Sequence, residues 1–182
     1  MFEHWGEFYL MAGSAAAVLV GLIFVVVTLM QDRSRSSVLA GSRLYMGPVL
    51  LQVSFVLVLS AMALAPGVPV EAHALIAGAV AAWGLARAVQ SIVGIKGLRG
   101  ADTPHWTDVW FYGAVPGALY GALGAVAFGV WSGAAWAVHG LAAAVTAMLL
   151  NSIRNEWDLV TWLAPHADAG DPFDGEGNDV AD

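Results

Sequence analysis

Arg87 is a guanidinium in a place where charge is costly. It stands inside the long apolar stretch Ala72 to Ile95, about eight residues and so about 12 Å from the end of that stretch. A charge at this depth costs roughly 2–3 kcal/mol even on the lenient insertion scale, which makes it a functional hypothesis in its own right. Gln52 enters its own apolar run from the same side at equal depth. Gln90 lies one turn beyond Arg87, and Asn151 falls in the last quarter of a fifth run. Glu156 and Asp158 follow closer to water, within reach of a long side chain. Gln52, Arg87, Gln90, Asn151 and Glu156 therefore define a polar vestibule suited to an ion, a lipid headgroup or a small anion. The competing reading is an arginine that snorkels to the headgroups or forms a buried structural bridge. The vestibule reading expects Arg87 to face the bundle interior and meet Gln52, Asn151 or Glu156. Glu156 is favoured because a carboxylate accepts a bidentate guanidinium pair.

Other chemistry is thinly represented. The chain has no cysteine, which excludes disulfides, thiolate metal sites and a cysteine nucleophile. His4, Glu7, Glu71 and His73 share one side without a metal-ligand spacing, and His139 lies about one turn inside that surface, so no metal is expected. Gly-x-Ser-x-Gly, a phosphate loop and paired helical acids do not occur, and Ser14, Ser54, Ser60 and Ser91 read as packing hydroxyls. The acid spacing around Asp171, Asp174 and Glu176 fails the calcium-loop pattern at Gly170 and Pro172. No catalytic residue and no cofactor is expected, so the protein reads as no enzyme.

The elements that must position these groups are membrane helices. Of 182 residues, 59% are hydrophobic and 12% charged, against about 45–50% and 25% in soluble domains. The mean hydropathy is +0.71. The net charge of −7 is largely a tail effect, because Asp168, Asp171, Asp174, Glu176, Asp179 and Asp182 crowd the end. A near-neutral body excludes a basic nucleic-acid binder. The fold expected is all-α, a polytopic bundle of five transmembrane helices over 8–30, 44–65, 72–95, 109–130 and 134–163, each at least the roughly 20 residues a crossing needs. A four-helix count, with the fourth and fifth runs forming a re-entrant hairpin, is the alternative. Pro116 is expected to bend the fourth helix, and Pro165 to stop the fifth.

Arg33, Arg35 and Arg43 follow the first run, Lys96 and Arg99 the third, and Arg154 lies late in the fifth. In a five-helix chain these fall on one face. Positive residues stay inside, which puts the N-terminus outside and the C-terminus in the cytoplasm. Residues 1–7 are then an external tail. They carry acids where a cleavable signal needs a basic region, so no signal peptide is expected. Residues 164–182 form an acidic cytoplasmic tail too poor in apolar surface to order itself. Trp5, Trp106, Trp110, Trp131, Trp136, Trp157 and Trp162 fall near the expected helix ends, as an interfacial belt would.

Lipid gives helices no hydrophobic reason to associate, so close packing relies on small residues. Gly113, Gly117 and Gly121 recur at every fourth position with Ala114, Ala118 and Ala122 beside them. Gly13, Ala17 and Gly21 mark the first helix, and Gly78, Ala82 and Ala86 the third. These stripes serve packing within the bundle or a seam between copies.

Two segments are similar to a widespread group of small bacterial multi-helix membrane proteins. One is Gly13-Ser14-Ala15-Ala16-Ala17-Val18-Leu19-Val20-Gly21-Leu22-Ile23-Phe24-Val25. The other is the Asn155-Glu156-Trp157-Asp158-Leu159 ending. The resemblance implies a bacterial inner-membrane location and supplies no mechanism. The resulting expectation is a non-enzymatic inner-membrane protein, a homo-oligomeric scaffold or regulatory subunit. Its partners would be the bilayer, its own copies and a cytoplasmic protein, with no nucleic acid. The alternative is a channel or transporter-like protein whose vestibule surrounds Arg87.

Overall fold

A computed structural model of the chain describes residues 3–29, 47–97 and 110–163. A short 3-10 turn, Glu3–Trp5, leads into α1, Gly6–Leu29. Then follow α2, Gly47–Leu64, and α3, Val70–Gly97. A five-residue π turn, Trp110–Ala114, runs directly into α4, Val115–Trp131, and α5 spans Ala137–Leu163. The protein is all-α among the described residues. α1, α2, α3 and α5 are long and apolar enough to cross a membrane, and α4, at 17 residues, is shorter. Arg33, Arg35, Arg43, Arg99, Trp106 and the acidic residues 164–182 lie outside the described residues.

Each helix packs against its neighbours in sequence, α1 most heavily on α2 and α3 on α4. α5 closes the ring on α1 and α4 and also touches α2 across it. Half of the apolar window of α5 is buried inside the protein, against 22% for α1. α5 is thus the internal post, and α1 turns most of its surface outward. Tyr9, Val56, Leu123, Val145 and Met148 meet where these helices converge.

Small residues make the closest approaches, as helix association in lipid requires. A Cβ added at Gly13 would lie 3.2 Å from Ser60 on α2, one at Gly117 3.6 Å from Ala88 on α3, and one at Gly78 3.9 Å from Ala127 on α4. At Gly113 it would run into Ile92, and at Gly84 into the Tyr120 ring. Among the described residues, a Cβ at Gly21 or Gly121 would meet nothing within 4 Å.

Pro116, expected inside the fourth helix, is found at its start. It stands at the first turn of α4, immediately after the π turn. Proline has no N–H and crowds the carbonyl four residues back, so the chain widens into π geometry just ahead of it and becomes regular α-helix from there.

The α4–α5 corner is a Schellman closure. Ala134 N–H donates to the Gly129 carbonyl at 2.9 Å and Gly133 N–H to the Val130 carbonyl at 3.2 Å. Gly133 sits at φ +71°, the left-handed position that this cap reserves for glycine. The closure holds residues 134–136 in a turn, so α5 begins at Ala137 and not at the expected residue 134.

Candidate functional site

Four polar residues on the second half of α5 point inward. Asn151 is 7% exposed, Ser152 0%, Asn155 2% and Glu156 9%. Residues four apart share a helix face, so Asn151 and Asn155 form one stripe and Ser152 and Glu156 the adjacent one. α2 faces the first stripe with Gln52, itself 2% exposed. Asn151 Nδ2 donates to Gln52 Oε1 at 3.0 Å, and Gln52 Nε2 donates to the Met148 carbonyl at 3.1 Å. Asn155 Nδ2 donates to the Phe111 carbonyl at 3.4 Å. That carbonyl belongs to the π turn, where the ordinary helical bonding is interrupted. The network thus ties α2, α5 and the start of α4 together at one level.

Two buried oxygens are left over. Among the described residues, Ser152 Oγ and Glu156 Oε1 have no hydrogen-bond partner. Beyond them, Arg154 lies over the Phe111 ring, 3.2 Å from its centroid, and pairs with Asp158 at 3.2 Å on its own helix.

Arg87 does not make the expected contact. It is exposed, and its Nη1 donates to Gln90 Oε1, one turn along the same helix, at 3.0 Å. Among the described residues, none of Gln52, Asn151 or Glu156 hydrogen-bonds it. The reason is rotational. α3 packs its Ala81, Gly84 and Ala88 edge onto α4, which turns Arg87 to the rim of the α2–α3 interface. Gln52, meanwhile, is engaged by α5. Arg87 and Gln52 still line the same small cavity, together with Gly84, Ala88, Pro116, Tyr120 and Asn155. Its volume is about 10 Å³, room for a single water-sized atom group. Of the five expected vestibule residues, the structure joins Gln52 with Asn151, and Arg87 with Gln90, and leaves Glu156 apart. Asn155, Tyr120 and Ser152 are the residues the vestibule reading missed. The four-residue spacing from Asn151 to Asn155 was a signal for one of them.

At the opposite end, His73 closes the α2–α3 turn. Its Nδ1 and Nε2 lie 3.0 Å from the carbonyl oxygens of Pro69 and Met62. His139 meets the Trp5 ring edge-on at 5.2 Å. No three His, Asp or Glu residues gather to hold a metal among the described residues.

Compared with protein families, with curated proteins and with solved structures, the chain matches none. No family is identified for the two segments Gly13–Val25 and Asn155–Leu159. The fold itself is that of a multi-helix protein with four candidate membrane spans.

Proposed function

We propose that the chain is a non-enzymatic, homo-oligomeric scaffold or regulatory subunit of a bacterial inner membrane, its N-terminus outside and its C-terminus cytoplasmic. The observation that carries this reading is the division of small residues on α4. Gly113, Gly117 and Gly124 face α3 and are consumed by it. Ala118, Gly121, Ala122 and Ala125 lie on another face, all exposed, and among the described residues nothing comes within 4 Å of a Cβ built at Gly121. A helix that met only lipid there would gain nothing from a furrow of small side chains. A second helix gains close backbone approach from it.

In this reading α4, extended by its π turn to a run from Trp110 to Trp131, crosses the bilayer as the fourth of five spans. All Lys and Arg then fall on the cytoplasmic side, and the acidic tail would face a cytoplasmic partner. The test is the mass of the protein in mild detergent. The wild type should run as an oligomer and Gly121→Leu as a folded monomer. A wild type that is monomeric at every concentration rejects the reading.

The cavity at Arg87 favours a second reading, a channel or transporter-like protein. Liposome flux that stays at background in both wild type and Arg87→Ala rejects that one.

A further inference from the structure

The Arg87 niche lies apart from the α4 seam and calls for its own ligand. Arg87 is exposed, and its hydrogen bond goes to the neutral amide of Gln90. Arg154, by contrast, already has Asp158 and the Phe111 ring. A guanidinium carries five N–H donors, so Arg87 keeps most of its capacity for an anion. α2 contains no ionisable residue, and the exposed neighbours of Arg87 on α3, Trp83, Ala86 and Gly94, include no acid.

Depth and size narrow the anion. The apolar window of α3 ends at Gly94, about 10 Å along the helix from Arg87. The Arg87 guanidinium donates to Gln90, one turn closer to that end, which is the direction in which a snorkelling arginine approaches the phosphates. Beside it, the cavity holds one water-sized group, which is the size of a single phosphate oxygen. Gln52 and Asn155 form its polar wall, and Pro48, Gly84, Ala88 and Pro116 supply walls without bulky side chains. Trp83, 61% exposed and one turn toward the bilayer centre, offers an aromatic face to the lipid beyond the headgroup.

We propose that this niche seats the phosphate of an anionic phospholipid, with one phosphate oxygen entering the cavity between α2, α3 and α4 and Arg87 closing over the others. A zwitterionic lipid presents the same phosphate with a cation attached, and among the described residues no carboxylate pairs with Arg87 or flanks it on α3 to receive that cation. Basic pockets between membrane helices recognise anionic headgroups by this combination of charge and enclosure.

The experiment is native mass spectrometry of the full chain, purified in mild detergent and re-lipidated with phosphatidylglycerol or phosphatidylcholine. The wild type should retain phosphatidylglycerol over phosphatidylcholine. Arg87→Gln should weaken that retention roughly tenfold, as expected for loss of a charge-assisted hydrogen bond, and Arg154→Gln should leave it intact. Inorganic phosphate at millimolar concentration should not displace the lipid. Equal retention of the two lipids by the wild type overturns the proposal without any variant, so it stays testable even if Arg87→Gln misfolds. Undiminished retention by folded Arg87→Gln, or displacement by inorganic phosphate, overturns it equally.

Discussion

Gln52 is the residue whose removal should be felt most, because it serves two partners at a buried position. Asn151 donates to its oxygen, and its nitrogen donates to the Met148 carbonyl. Gln52→Leu strands the Asn151 amide and should lower stability by about 1 kcal/mol. Adding Asn151→Leu should recover part of that loss, since two matched apolar residues leave no orphan. Thermal unfolding in detergent measures both, and a double variant weaker than either single one would contradict the pairing. Arg87 and Glu156 should behave in the opposite way. They share no hydrogen bond, so a double-mutant cycle of Arg87→Leu and Glu156→Gln should be additive within about 0.5 kcal/mol. A coupling above about 1 kcal/mol would show a direct pair after all. The shared depth of Gln52 and Asn151 was legible in the sequence because each amide interrupts an apolar run at the same level. The Arg87 contact was not. Spacing fixes how deep a side chain lies, whereas its rotation toward a neighbour depends on which edge of α3 packs, and here Gly84 and Ala88 decide that.

At the scale of the element, five helical runs could be read from apolar length alone, and their ends from Pro66-Gly67 and Ser132-Gly133. The π turn could not. It arises from Pro116 acting on the residues before it, and a proline in an apolar run equally predicts a kink. The small-residue stripes were visible as stripes, but the sequence does not say which partner each one meets. The structure separates them, and the separation has a measurable consequence. Gly84 carries the Tyr120 ring directly on its backbone, so Gly84→Ala must push a nearly buried ring aside and should cost about 1–3 kcal/mol. Gly121 faces open space, so Gly121→Ala should leave helix-bundle stability within about 0.5 kcal/mol of wild type. Thermal melts of the two variants side by side test this, and equal losses would mean that the α3–α4 contact is misassigned.

For the whole molecule, the ring of α1 to α5 leaves a protein with little interior polar space and an outer surface made mostly for lipid. Within that surface the α4 furrow is a feature that lipid alone does not explain, and the homo-oligomer proposal rests on it. The cysteine-free sequence permits a direct reading in the native membrane, with no detergent to dissociate or create contacts. Single variants Ala118→Cys, Gly121→Cys, Ala122→Cys and Ala125→Cys would be oxidised in membranes alongside Ala79→Cys and Ala86→Cys, which are also exposed but lie on α3. Cross-linked dimer should form at the α4 positions and stay at background at the α3 positions. Cross-linking that is absent from α4, or no stronger there than on α3, would contradict the assignment of this face as the seam between copies.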